Sequence, residues 1–234
     1  MTTISERLQA TRDRVRKAAE AAGRDPQEVL LLAVSKAHSS DELQEAFDAG
    51  QRAFGESYLQ EALAKQELLK SLPIEWHFIG PIQSNKTRPI AEHFSWVHGV
   101  DRLKIAQRLS EARPETLPPL NVCLQVNVSG EASKSGCAPN EVAALAEAVS
   151  ALPRLKLRGL MTIPEPSDDI ALQHRRFRML KELRDGLAAQ GYALDTLSMG
   201  MSDDFATAIA EGSTIVRVGT AIFGPRQYRT ETEA

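Results

Sequence analysis

The stretch VLLLAVSKAHSS, residues 29–40, decides how the rest of the chain is read. Six apolar residues, Val29 to Val34, run without a polar break, and Ser35 and Lys36 follow them. A short, continuous apolar run of this kind fits a strand buried on both faces, as in parallel sheets. Ser39 and Glu42 then fit a capping box. Leu43, Ala46 and Phe47 form one helical face, and Gly50 supplies a stop. Strand therefore passes into helix, and a lysine stands where the strand ends.

The same alternation recurs along the chain. Upstream, Thr3 and Glu6 fit a capping box before Ile4, Leu8 and Val15, so the chain opens with an extra helix. Downstream strands are expected in RAF (52–54), EWHFIG (75–80), FSWVHGV (94–100), LNVCLQVNV (120–128), LKLRGLM (155–161), TLSMG (196–200) and TIVRVG (214–219). Helices are expected between them: one started by Ser57 and Gln60, one with a polar start at Ser84, one capped by Asp101, one carrying Val142, Leu145, Ala146 and Val149, and one over 168–190. A last one spans 202–211, N-capped by Ser202 and stopped by Gly212. Eight strands alternating with helices in 234 residues suit a single (β/α)8 barrel filling residues 1–234. An open doubly wound sheet is the alternative, because the second and seventh strands are short.

Composition narrows the function. Apolar residues make up 42 % and charged residues 25 %, an ordinary globular balance, and the net charge is −3. A protein that grips nucleic acid by its phosphates shows a basic excess, which is absent here. Two cysteines, Cys123 and Cys137, make no disulfide framework. No segment reads as a signal peptide, and none reaches the ~18 consecutive apolar residues of a membrane span. The expected location is the cytoplasm. NVS at 127–129 is read as a chance match to a glycosylation acceptor.

In a barrel, active sites form where strands end and βα loops begin. Lys36 occupies such a position. It fits either a lysine extending its amine to solvent or an imine-forming nucleophile. An imine lysine alone does not separate a carbonyl substrate from pyridoxal phosphate. The far end of the chain adds to it. Ser202 opens a helix, Gly219 and Thr220 follow the last strand, and Arg217 lies on that strand. The loops after strands seven and eight are a frequent phosphate site in barrels, and a buried arginine needs an acceptor. Together these residues suggest an imine lysine, a phosphate cup and a cation.

LLAVSK, FGESYLQEA, WHFIGPIQSNK, VNVSGEASKSG, RGLMTI, LSMGMSDDF and STIVRVGTAIFG resemble the pyridoxal phosphate homeostasis protein family, also called the proline synthase co-transcribed family, over almost the whole chain. The resemblance implies a barrel like the N-terminal domain of alanine racemases. It implies pyridoxal 5'-phosphate as cofactor, held by Lys36 as an internal aldimine. It places the phosphate around Ser202, Gly219 and Thr220, and Arg217 against the pyridine nitrogen. The family's second motif usually reads Gly-Glu-Asn. Here Ser57 stands in the third place, with one donor where asparagine offers two.

The remaining candidates are plainer. His77 fits a mouth-facing ligand or a packed histidine equally well. His38, His93, His98 and His174 show no metal spacing. Cys123 is expected in the core, and Lys86 and Lys134 on the surface. Loops 129–139 and 164–169 are long enough to be lids or plain surface loops. Three functions compete: a carrier of pyridoxal phosphate, a racemase of the alanine racemase type, and a cofactor-free aldolase. A racemase needs a second base, which the resemblance assigns to a tyrosine from a second domain. The chain ends soon after AIFG, and Tyr58, Tyr192 and Tyr228 are not placed by the sequence. An arginine at the ring nitrogen keeps that nitrogen unprotonated and weakens the ring as an electron sink. The expectation is a non-enzymatic, monomeric carrier that serves the cell's pyridoxal phosphate supply and passes the cofactor to apo enzymes.

Overall fold

A computed structural model describes residues 2–130 and 135–225 of the chain. Eight parallel strands close into a barrel in sequence order: β1 (Leu30–Val34), β2 (Ala53–Glu56), β3 (Glu75–Phe78), β4 (Trp96–Val100), β5 (Leu120–Gln125), β6 (Leu155–Met161), β7 (Thr196–Ser198) and β8 (Ile215–Val218). Closure is made by β1 against β8, with Leu32 opposite Arg217 and Ala33 opposite Val218. This pairing excludes the open sheet. Both short strands, β2 and β7, take their places in it.

Helices wrap the barrel: α1 (Ile4–Ala21), α2 (Ser40–Asp48), α3 (Leu59–Leu68), α4 (Thr87–His93), α5 (Leu103–Ala112), α6 (Val142–Ser150), α7 (Ile170–Ala189), α8 (Phe205–Ala210) and α9 (Thr220–Phe223). Both capping boxes read around Thr3 and Ser39 are formed. Three other starts are not. α3 begins at Leu59 behind Tyr58, and α5 at Leu103 behind Arg102, so neither Ser57 nor Asp101 caps a helix. α8 begins at Phe205, three residues past Ser202. Here the chain makes a turn instead, in which the Asp204 carboxylate accepts the Met201 N–H at 2.6 Å.

The strands explain their own composition. Along β1, Leu31 and Ala33 join the layer between sheet and helices, while Leu32 and Val34 pack with Ala53, Ile79 and Ile215. Trp96, Cys123 and Met161 form a second small apolar cluster. A strand apolar on both faces is required wherever one face meets helices and the other fills the barrel. Cys123 is fully buried, as expected. His77 is also fully buried, which settles it as a packed residue. Among the described residues no helix is long and apolar enough to cross a membrane, and no cluster of potential metal ligands occurs. Lys134 and Tyr228 lie outside the described residues.

Candidate functional site

β1 ends at Val34, and the next three residues are held by a buried polar clamp. Ser35 Oγ donates to Glu56 Oε1 at 2.6 Å, and Lys65 Nζ donates to the same oxygen at 2.8 Å and to the Ser35 carbonyl at 2.7 Å. Lys65 also pairs with Glu61, four residues earlier on α3. Glu61 in turn accepts the Ala37 N–H at 2.7 Å. Ala37 has φ +62°, a left-handed conformation that is uncommon for a residue with a Cβ. The clamp thus fixes the backbone on both sides of Lys36. Burial pushes the Glu56 carboxyl upward, and the Lys65 ammonium opposes that shift.

Ser57 follows β2 directly. Gly80 lies so close that a Cβ there would sit 2.5 Å from the Ser57 carbonyl oxygen. Across the barrel end, β8 passes into α9 at Gly219, where a Cβ would meet the Val34 carbonyl at 2.9 Å. Only glycine lets the end of β8 lie this close to the end of β1. The first N–H groups of α9 have no partner inside the helix, because none exists at a helix start. Thr220 opens that turn.

Arg217 is 4 % exposed. Its Nη1 donates to Ser198 Oγ at 2.7 Å and its Nη2 to the Thr162 carbonyl at 2.8 Å. Burial pushes its pKa down to about 10, with Asp204 opposing, so it stays charged at neutral pH. Among the described residues no carboxylate is hydrogen-bonded to it.

These segments enclose a cleft of about 140 Å³, room for about five waters at ~30 Å³ each. Lys36, Ser57, Ser202, Arg217, Gly219 and Thr220 all line it. All six residues singled out from the sequence therefore meet, although Ser202 does so from a turn and not as a helix cap. Val34, Ile79, Ile163 and Met201 supply its apolar surface. His38 also lines it, with Nδ1 3.1 Å from Glu42 Oε1 and its ring stacked on Phe223. Two larger clefts lie elsewhere, one lined by Arg12, Arg52 and Glu75 and one between α2 and α3. The chemistry, not the size, singles out the smaller one. It joins an amine, hydroxyls, a helix start and a buried cation.

Sequence reading missed the clamp. Glu61 and Lys65 at i,i+4 were a visible helix pair, but nothing in the sequence ties them to Glu56 or Ser35.

The family model described as alanine racemase, N-terminal domain, matches residues 7–227. The pyridoxal phosphate homeostasis protein of Pseudomonas aeruginosa is 66 % identical over 228 residues, covering 97 % of this chain and 98 % of its own. The chain belongs to the pyridoxal phosphate homeostasis protein family. A solved structure of PipY from Synechococcus elongatus with pyridoxal phosphate bound is 38 % identical. It superposes with TM-score 0.83 over 95 % of this chain and 100 % of its own. The alanine racemase of Corynebacterium glutamicum is only 18 % identical, with TM-score 0.68. This chain covers 62 % of that protein's length, and the likeness establishes a shared fold.

Proposed function

We propose that this member of the pyridoxal phosphate homeostasis protein family binds pyridoxal 5'-phosphate in the Lys36 cleft and acts as a cellular carrier and buffer of it. The observation behind the proposal is the convergence of Lys36 from β1 with Ser202, Arg217, Gly219 and Thr220 from the other end of the chain. The cleft suits that molecule: Gly219 leaves the chain end without a side chain beside Lys36, and Thr220 adds a hydroxyl donor. When bound, pyridoxal phosphate supplies an aldehyde that condenses with amines and a ring able to withdraw electrons once its nitrogen is protonated.

In this reading Lys36 holds the cofactor covalently through Nζ. Ser202, Gly219 and Thr220 donate to the phosphate, and Ser57 lines the ring. Arg217 donates to the pyridine nitrogen. A guanidinium has only donors to offer, so it satisfies that nitrogen's lone pair without protonating it. Turnover is correspondingly weak. His38, the other ring in the cleft, is hydrogen-bonded to Glu42 through Nδ1 and stacked on Phe223. Residues 1–234 are one pyridoxal phosphate-binding domain, monomeric and cytoplasmic, and apo enzymes that use the cofactor are the recipients.

Borohydride treatment of the loaded protein tests the attachment, and peptide mass mapping should find the reduced adduct on Lys36. An adduct of equal yield elsewhere in Lys36→Ala would refute it. Incubation with L-alanine in deuterated water tests the carrier role. Cα exchange should not exceed that of free pyridoxal phosphate, and mixing with an apo enzyme should activate that enzyme. Fast exchange that vanishes in Lys36→Ala would make the protein a racemase.

A further inference from the structure

Arg217 is one end of a hydrogen-bonded chain that crosses the barrel interior. Arg217 Nη1 lies 2.7 Å from Ser198 Oγ. Ser198 Oγ lies 2.8 Å from His98 Nδ1, and His98 Nε2 lies 2.9 Å from His77 Nδ1. His77 Nε2 lies 2.8 Å from Glu75 Oε1, where β3 begins at the other end of the barrel. The residues come from β8, β7, β4 and β3, and all but Glu75 are buried.

The two ends decide the direction. A guanidinium only donates and a carboxylate only accepts. Glu75 stays ionised, because the His77 hydrogen bond holds its carboxyl below the usual range, helped by Trp96 and the charge of Arg158. His77 must then donate from Nε2, and a neutral His77 presents a lone pair at Nδ1. His98 donates to it from Nε2 and keeps a lone pair at Nδ1. Ser198 donates its hydroxyl proton there and accepts from Arg217. Each link has one proton and one lone pair. In the reverse order His77 would face the Glu75 carboxylate with a lone pair. Protonating His77 instead would place a charge in the barrel interior, stacked on Trp96 at 5.4 Å and beside His98. Burial keeps both rings neutral, and Arg217 pushes His98 further the same way.

We infer that Glu75, His77, His98 and Ser198 are positioning residues, a one-way hydrogen-bond chain that anchors Arg217 as a donor to the cleft and links it to a counter-charge at the opposite rim. Aligned links polarise one another. The Ser198 oxygen therefore turns its lone pair to a guanidinium that pairs with no carboxylate among the described residues. The part of the inference that concerns the cofactor rests on the function proposed above. The tautomers do not.

Proton–nitrogen correlation spectra of the full chain labelled with 15N-histidine test it. His77 and His98 should both be neutral with the proton on Nε2 between pH 6 and 8. A proton on Nδ1 of either ring, or a charged ring at pH 7, would overturn the chain. Ser198→Ala should weaken pyridoxal phosphate binding by about tenfold, the loss of one hydrogen bond to a charged group. It should also move the pH titration of the bound cofactor's absorption, and Ser198→Thr should restore it. A folded Ser198→Ala protein with an unchanged titration refutes the positioning role. If Ser198→Ala does not fold, Glu75→Leu at the rim serves instead. It should scramble the His77 tautomer and shift the same titration, whereas Glu75→Gln, which keeps an acceptor oxygen but loses the counter-charge, should hold the tautomer better than Glu75→Leu and still shift the titration. Unchanged His77 signals in Glu75→Leu refute the chain. Absence of a Lys36 adduct in the wild-type protein would sink the cofactor reading and leave the tautomer result standing.

Discussion

Other residues hold the backbone on both sides of Lys36. Lys65 is buried with its ammonium among Glu56 Oε1, Glu61 Oε1 and the Ser35 carbonyl. Lys65→Met removes the counter-charge to Glu56, whose carboxyl burial already pushes upward. Breaking a buried pair costs about 3–5 kcal/mol, and without the ammonium the Glu56 carboxyl should be pushed further up. Urea unfolding should show the loss, and adding Glu56→Gln should recover part of it. Thr220→Val tests the other wall. The proposed phosphate carries about −2 charge, and a hydrogen bond to a charged group contributes roughly 1.5–3 kcal/mol. The variant should bind pyridoxal phosphate about tenfold more weakly, or somewhat worse, and pyridoxal almost unchanged. Equal losses for both ligands would remove Thr220 from the phosphate site.

At the level of elements, helix starts separate what local sequence controls from what packing controls. Thr3 and Ser39 cap as read, each with a glutamate three residues on that returns the bond. Ser39→Ala should lower stability by about 1 kcal/mol. Asp101→Ala should change it by less than ~0.5 kcal/mol, because Arg102 precedes α5 and Asp101 only pairs with that arginine at a half-exposed site. Chemical denaturation of the two variants side by side distinguishes them. Ser57, Asp101 and Ser202 are cap-type residues too, and Ser57 even has Gln60 three residues on, although Lys104 and Phe205 stand at that place after Asp101 and Ser202. They fail because the strands before them deliver the chain in a fixed direction, and each helix begins only where its apolar face reaches the barrel.

For the whole molecule, the interior histidines set the pH response. His77 and His98 are held neutral by burial, so their folded pKa values lie below the ordinary 6.5. As pH falls below about 6.5 the unfolded chain takes up protons at these rings and the native barrel does not. Stability must therefore fall with falling pH, by up to about 1.4 kcal/mol per pH unit for each ring. Carboxylates held low by partners, Asp195 against Arg158 and Glu211 against Arg178, add losses of the same sign at lower pH. Unfolding free energy measured from pH 7 to 5 should show the fall, and His98→Asn should flatten it. An equally steep slope in that variant would mean that the titrating groups lie outside the barrel interior.

The sequence by itself determined the strand–helix alternation, the number of strands, the two true capping boxes and five of the residues that line the cleft, Lys36, Ser202, Arg217, Gly219 and Thr220, while Ser57 came from the family resemblance and His38 was missed. Apart from Ser57, these are short-range or compositional signals. A strand buried on both faces needs an unbroken apolar run, and a residue at a strand end must fall in a loop at the barrel's end. Closure was not legible, since nothing in β1 or β8 alone says that Leu32 will lie opposite Arg217. Nor were the partners of the polar residues inside. Glu56 and Lys65, like His77, His98 and Ser198, come from different strands and helices, and they are brought together only when the sheet curls shut. Burial then leaves each of them a single way to satisfy its protons and lone pairs. That choice depends on distances across the barrel, which local sequence does not contain.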